Sequence, residues 1–282
     1  MKKFFLIGSL LLFLLGCILI YQNITYNDKK LHVVICNVGQ GDAIFIRTPQ
    51  GSDILIDGGP DDSVLNCLGK HMPFWDRTLE IIILTHPDAD HVTGLIDVIE
   101  RYKLIFFYTS KITTKTAVYN QFLKTLEKYK IKQNYLWQGD RFILKDGLSF
   151  QALWPAHEWE EETVIAGGAT NSFSVIGLLT YKKFKALFTG DSDAEQMEEV
   201  EDFTGKINFL KVPHHGSRFG LTAEILDVLN PRLAVISVGK NSYGHPTQFI
   251  LDLLKSKNIK TLRTDQVSDI EIVSDGKSWK VN

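Results

Sequence analysis

The segment Leu79-Glu80-Ile81-Ile82-Ile83-Leu84-Thr85 is almost unbroken apolar sequence, and it runs straight into His86-Pro87-Asp88-Ala89-Asp90-His91. An apolar run of that length reads as a strand buried on both faces, which requires a layered α/β arrangement. Val92–Arg101 follows with helical spacing, so four ligand-type side chains crowd one strand-to-helix loop. Imidazole and carboxylate suit borderline-to-hard divalent metals, and alternate residues of such a loop can converge on one point. The plainer alternative is a polar loop with Asp90 capping the helix. Four ligand types in six positions behind a buried strand weigh against it.

Short apolar runs and helical stretches alternate through the rest of the chain. Leu31–Asn37, Ala43–Thr48 and Asp53–Asp57 read as consecutive strands, and Lys115–Lys130 as a helix. Phe142–Leu144, Ser149–Trp154, Ser174–Tyr181 and Lys185–Thr189 are strand-like again. Beyond them, Ala194–Phe203, Leu221–Leu229 and Gln248–Lys255 read as helices, and Ile207–Val212, Leu233–Val238, Thr261–Arg263 and Ile270–Val273 as strands. Each half gives strands, a buried strand ending in a His-containing loop, then a helix. Two mixed β-sheets packed face to face with helices outside, an αββα sandwich, satisfy this layering.

Residues 1–21 stand apart: a basic start, Met1-Lys2-Lys3, precedes about 18 apolar residues from Phe4 to Tyr21, the lower end of what spans a bilayer. The basic end belongs in the cytoplasm, which sends the remainder outward. Leu14-Leu15-Gly16-Cys17 has the look of a lipoprotein cleavage box, but Leu15 fits it poorly and Ile18-Leu19-Ile20 stays apolar. An uncleaved membrane anchor therefore fits best, followed by a lipoprotein and then secretion. Residues 22–30 read as a polar tether and 31–282 as one folded domain. Cys36 reads as a buried thiol and Cys67 as a helical residue, without C-x-x-C or zinc-finger spacing, so no disulfide framework is expected. With 31 basic and 33 acidic residues, the charge balance argues against a dedicated nucleic-acid scaffold. A hydrolase that meets phosphodiesters at one site remains open, because metal-bound carboxylates count as negative while their cations go uncounted.

The loop His86-Pro87-Asp88-Ala89-Asp90-His91 resembles the metallo-β-lactamase superfamily signature H-x-H-x-D-H, with Asp88 in place of the second His. Asn37-Val38-Gly39-Gln40-Gly41-Asp42 and Ile56-Asp57-Gly58-Gly59 precede it; Thr189-Gly190-Asp191, Pro213-His214-His215-Gly216-Ser217 and Tyr243-Gly244-His245-Pro246 follow. Together these are similar to the extracellular hydrolase domain of the ComEC-type competence DNA-uptake family and its stand-alone relatives. The resemblance implies the metallo-β-lactamase fold and two divalent ions, zinc or manganese. His86 and Asp88 would hold one, Asp90, His91 and His214 the other, with Asp191 bridging and His215 behind the site or against substrate. Asp42 and Asp57 would orient the ligands from behind. Where the superfamily usually has a further His, this chain has Gly168-Ala169-Thr170-Asn171-Ser172, so Asn171 becomes a weak ligand or substrate contact. Oxygen in place of nitrogen at Asp88 and Asn171 shifts preference toward manganese.

A metal-activated water would be the nucleophile, oriented by Asp90, with His245 protonating the leaving oxygen or clamping the phosphate. Lys211, Arg218, Lys240 and Asn241 flank the later motifs and suit an anionic substrate. The first expectation is a membrane-anchored, extracytoplasmic phosphodiesterase or nuclease acting on DNA. Hydrolysis of a cell-wall or small phosphodiester, in the manner of phosphorylcholine esterases, is the alternative. A non-catalytic binding module comes last, since every motif keeps an ionisable or amide side chain. No protein partner is identifiable from the sequence.

Overall fold

The computed structural model describes residues 2–157, 163–165 and 170–282. Two large sheets lie face to face among them. The first has the strand order Trp279–Val281, Ile270–Ser274, Leu31–Ile35, Ile44–Arg47, Asp53–Ile56, Thr78–Leu84, Lys103–Thr109, Gln133–Tyr135. It is antiparallel up to Asp53–Ile56 and parallel from there on. The second runs Lys260–Arg263, Leu233–Ile236, Phe209–Lys211, Phe184–Phe188, Ile176–Tyr181, Ser149–Trp154, Arg141–Ile143. It repeats the design, with antiparallel strands first in the chain and parallel ones after. The two-fold character of the sequence is thus a repeated antiparallel-then-parallel half.

Period-2 alternation builds the layers. Leu31, Val33, Ile35, Ile54, Ile56, Ile81 and Ile83 face Phe184, Ala186, Phe188, Phe209, Leu233 and Val235 in one core between the sheets. The intervening Val34, Leu55, Ile82 and Leu84 meet the helices Ser63–His71, Ala89–Arg101 and Ala117–Lys128. On the far side Leu187, Leu210, Ala234 and Ile236 meet Ala194–Thr204, Ala223–Leu229 and Gln248–Ser256. Burying each large side chain contributes about 1.5–3 kcal/mol, so strands buried on both faces fix the four-layer order.

Four local expectations change. Lys103–Thr109, unassigned by pattern, is a strand paired with Thr78–Leu84; the preceding helix passes into it through Arg101-Tyr102 without Gly, Pro or Asn to mark the switch. The helix expected from Val92 begins at Ala89, so Asp90 lies inside its first turn. The polar segment 22–30 is not wholly a tether. The N-terminal helix Lys2–Tyr26 extends into it, and Tyr26 docks through its hydroxyl to the Lys70 carbonyl (2.7 Å) while Arg47 Nε reaches the Tyr26 carbonyl (3.1 Å).

The fourth change concerns the cysteines. Cys36 and Cys67 form a disulfide, with Cα atoms 5.8 Å apart, where the sequence pointed to thiols. Their 31-residue separation follows no motif. They meet because the crossover after Asp53–Ile56 lays the Ser63–His71 helix over the end of Leu31–Ile35. Such a bond belongs to a non-reducing compartment. Alkylation of the unfolded, unreduced chain is expected to label Cys17 alone, and reduction to expose two more thiols. Cys36→Ala with Cys67→Ala is expected to lower unfolding free energy by about 2–4 kcal/mol, measured by denaturant titration.

Candidate metal centre

The chemistry-bearing loops leave the C-terminal ends of strands in the parallel halves of both sheets. Asp57 follows Asp53–Ile56, and His86 to His91 follow Thr78–Leu84; Asp191 follows Phe184–Phe188, and His214 with His215 follow Phe209–Lys211. Open α/β sheets place their ligand crevices at this edge.

The hydrogen-bond network sets the imidazole tautomers. Asp57 accepts from His91 Nδ1 (2.9 Å), from the Thr85 amide (2.8 Å) and from the Thr85 hydroxyl (2.8 Å). With its proton committed to Asp57, the Thr85 oxygen accepts from His86 Nδ1 at 3.0 Å. His215 Nδ1 donates to the Ser237 carbonyl at 2.9 Å. All three rings therefore turn an Nε2 lone pair inward, and these buried atoms make no hydrogen bond. Their nearest polar neighbours are carboxylate oxygens. His91 Nε2 and His215 Nε2 each lie 3.3 Å from Asp191 Oδ2, His215 Nε2 also 3.3 Å from Asp90 Oδ2, and His86 Nε2 3.8 Å from Asp88 Oδ2. A lone pair facing a carboxylate is repulsive unless a cation stands between them. The donor set, imidazole nitrogen and carboxylate oxygen, fits a divalent metal.

Electrostatics agree. Burial opposes charge on His215, yet Asp191, Asp90 and Asp42 outweigh it and push its pKa to about 10. Burial likewise opposes charge on His91, while Asp191, Asp57 and Asp90 raise it well above the imidazole range. The negative potential that would hold protons there is one that attracts metal cations. Burial and the neighbouring His91 bring His86 down to about 4, leaving it neutral and able to ligate. For Asp90 and Asp191 burial works against ionisation, but the adjacent His91 and His215 hold both well below the usual carboxylate range.

Other expected residues divide. Asp88 occupies the N-cap position of Ala89–Arg101 but makes no cap hydrogen bond; it accepts instead from Thr170 Oγ1 at 2.5 Å. The sequence pointed to His214 as a ligand and His215 behind it, and the geometry differs: His215 lies in the cluster with Asp90, His91 and Asp191. His214 Nε2 stands 3.9 Å from Asp191, beside Asn171 at 3.5 Å. The reason is local. Both histidines are left-handed (φ 46° and 53°), as is Gly216, where a Cβ would lie 2.6 Å from Pro246. Left-handed non-glycine residues cost about 1–3 kcal/mol each, and the turn they make sets the rings 77° apart. His245 is half-buried with Nδ1 unpaired; burial, then His214 and His215, lower its pKa. It is therefore neutral near neutrality, which favours an N–H clamp over a proton donor. Lys211 does not face substrate: it is fully buried, ion-paired with Asp42 and 3.7 Å from Asp191. Asn241 spends its amide on the backbone of Gly239, Tyr243 and His245. Gly168 and Ala169 lie outside the described residues.

Comparison with known proteins gives the family. The family model described as the metallo-beta-lactamase superfamily matches residues 36–240. The chain belongs to that superfamily. It is similar to ComE operon protein 3 of Bacillus subtilis (30% identity, 85% of this chain, 32% of that protein) and to competence protein ComA of Neisseria gonorrhoeae (26% identity, 84% and 31%). It thus spans about a third of these relatives' length. A diphosphatase of the PhnP family shares the fold, with TM-score 0.52 at 14% identity over 86% of this chain and 98% of that one. As a metallo-β-lactamase superfamily member the chain is a metal-dependent hydrolase related to competence proteins.

Within that superfamily site, Thr170, Ser174 and Lys211 are contributors the sequence reasoning missed or misplaced. Ser174 Oγ accepts from the Asp191 amide (3.1 Å) and lies 3.2 Å from His86 Nδ1. Their one signal was proximity to motif residues. Asp57→Asn, tolerated at the left-handed Asp57 (φ 59°), removes the carboxylate behind His91. It is expected to weaken metal binding about 10–100-fold in competition with a chromophoric chelator.

Proposed function

We propose that this chain is a two-metal phosphodiesterase acting on DNA outside the cytoplasmic membrane. The carrying observation is the convergence of three unpaired Nε2 atoms with Asp88, Asp90 and Asp191 beside an open cleft of about 380 Å³, which His214, Tyr243 and His245 also line. His86, Asp88 and Asp191 would hold one ion, and Asp90, His91, His215 and Asp191 the other. Manganese or zinc fits, the carboxylate oxygens of Asp88, Asp90 and Asp191 favouring manganese. Bound divalent ions supply a water of lowered pKa and neutralise charge building on the phosphoryl group. Asp90, with Oδ2 3.3 Å from His215 Nε2 in the cluster, would orient that water. His214, Asn171 and the neutral His245 hydrogen-bond the non-bridging oxygens.

Three observations support DNA as the substrate. The similar proteins named above include a competence protein. Tyr243, 74% exposed at the cleft rim, offers a ring on which a base can stack. Arg218 and Lys240 are exposed and close in sequence to the cleft-lining His215 and Tyr243, where they can meet phosphates.

One observation favours a second reading. Trp154, Glu195 and Glu199 line a hollow of about 420 Å³ that includes Ser172, next to Asn171. Its carboxylates repel a polyanion and suit a phosphodiester bearing a cationic group, as on a cell-wall polymer.

The test is hydrolysis of labelled linear DNA and of bis(p-nitrophenyl) phosphate by the full chain in detergent, with manganese, magnesium and zinc supplied separately. Metal-dependent DNA cleavage supports the first reading. Cleavage of the small ester alone moves the substrate to the second, and cleavage of neither by metal-loaded protein overturns both.

A further inference from the structure

The loop between the Ser63–His71 helix and the Thr78–Leu84 strand, Met72-Pro73-Phe74-Trp75-Asp76-Arg77, carries two large aromatic side chains into solvent. Phe74 is 50% and Trp75 45% exposed, with their rings edge-to-face at 5.0 Å. Nothing in the candidate metal centre uses them.

The loop is fastened to the last two turns of the N-terminal helix. The Phe74 amide donates to Gln22 Oε1 at 3.2 Å, and Tyr26, four residues on, donates to Lys70 just before the loop. Lys2–Tyr26 has 25 residues, with a mean hydropathy of 2.7 over its apolar stretch. At about 1.5 Å per residue it is roughly 37 Å long, against about 30 Å for a hydrocarbon core. Its final turn therefore emerges at headgroup depth. Fixing Phe74 to Gln22 puts Phe74 and Trp75 at that same depth. Lys70, His71 and Arg77 flank them, and a cationic, aromatic border is what the bilayer interface selects.

We propose that the Phe74–Trp75 loop seats in the headgroup region of the bilayer that takes up the N-terminal helix, so that the domain stands on the membrane in one fixed orientation. This rests on reading Lys2–Tyr26 as a membrane span. The orientation follows from strand direction. Thr78 begins beside the seated loop, and the metal-centre loop begins at His86, beyond the strand's other end. Seven residues at about 3.3 Å each separate the cleft from the seated end by roughly 23 Å along the strand. The neighbouring strands agree: Arg47 and Asp53 meet at the seated end, Asp42 and Asp57 at the cleft end. The site thus faces away from the bilayer. A phosphodiester in that bilayer's own headgroups is out of reach, and the substrate must be a polymer or solute beyond the membrane surface.

The full chain in liposomes with lipids brominated near the top of the acyl chain tests this. Wild-type emission is expected to be quenched by about one fifth, the share of one tryptophan in five, and Trp75→Phe to abolish that quenching. A bimane label at Lys240→Cys, in a Cys17→Ser background, is expected to stay unquenched. Flotation of the protein with the liposomes after alkaline wash checks the span separately; loss from the liposomes overturns the anchor reading and the seating with it. Retention with an unquenched Trp75 overturns the seating alone. So does a Trp75 shielded from iodide yet untouched by brominated lipid, which would mean a second copy covers it. Quenching of the Lys240 label overturns the outward-facing cleft.

Discussion

Asp191→Ala is expected to remove metal-dependent hydrolysis by at least about 10²–10³-fold, the loss from one preorganised electrostatic group, with kcat falling while the fold persists. Asp191 Oδ2 lies 3.3 Å from both His91 Nε2 and His215 Nε2, and Asp191 is 3% exposed. Its removal deletes the carboxylate that would stand across a bound cation from two buried Nε2 lone pairs. Steady-state kinetics with the small ester and metal analysis by mass spectrometry check this together. Residual activity within tenfold of wild type, with full metal occupancy, would remove Asp191 from the centre of the mechanism.

Lys211→Met is expected to cost about 3–5 kcal/mol of stability, the penalty for leaving a buried charge without its partner. At about 2–4 °C per kcal/mol for a domain of this size, the melting temperature falls by roughly 6–20 °C. Lys211 is fully buried, with Asp42, Asp191 and the Gly190 carbonyl around its ammonium group. Burial alone would favour its neutral form; Asp42 and Asp191 outweigh that and raise its pKa, so the charge is retained inside. Removing it strands Asp42, which is 1% exposed. The double variant Lys211→Met with Asp42→Asn is expected to regain part of the loss, because neither charge is then uncompensated. Calorimetry of the two variants decides. A single variant as stable as wild type would mean that water reaches this pair.

What sequence could and could not tell follows from how local each feature is. The strand at Leu79–Thr85 and the histidine–aspartate loop after it were legible, because apolar periodicity and ligand-type residues sit side by side in one segment. The layered architecture was legible for the same reason, repeated in both halves. His214 and His215 could not be told apart, since the choice depends on two left-handed residues and on the packing of Gly216 against Pro246. The Cys36–Cys67 bond depends on a crossover that brings a helix over a distant strand. Lys211 has the composition of a surface residue, and only the position of Asp42 and Asp191 reveals a buried pair. The end of the first helix and the Lys103–Thr109 strand lacked the turn residues that mark such boundaries.

The two sheets contribute to the candidate metal centre unequally but jointly: His86, Asp88, Asp90 and His91 come from the first, Asp191, His214 and His215 from the second. Ions gripped by both would act as a rivet across the sandwich, adding to the apolar core, the Lys211–Asp42 pair and hydrogen bonds such as Ser237 Oγ to the Gly41 carbonyl that already join the halves. Thermal resistance would then track free metal concentration, rising as RT ln(1 + [M]/Kd). Stripping the ions would loosen the sheets from each other first at the cleft edge, well before either sheet came apart.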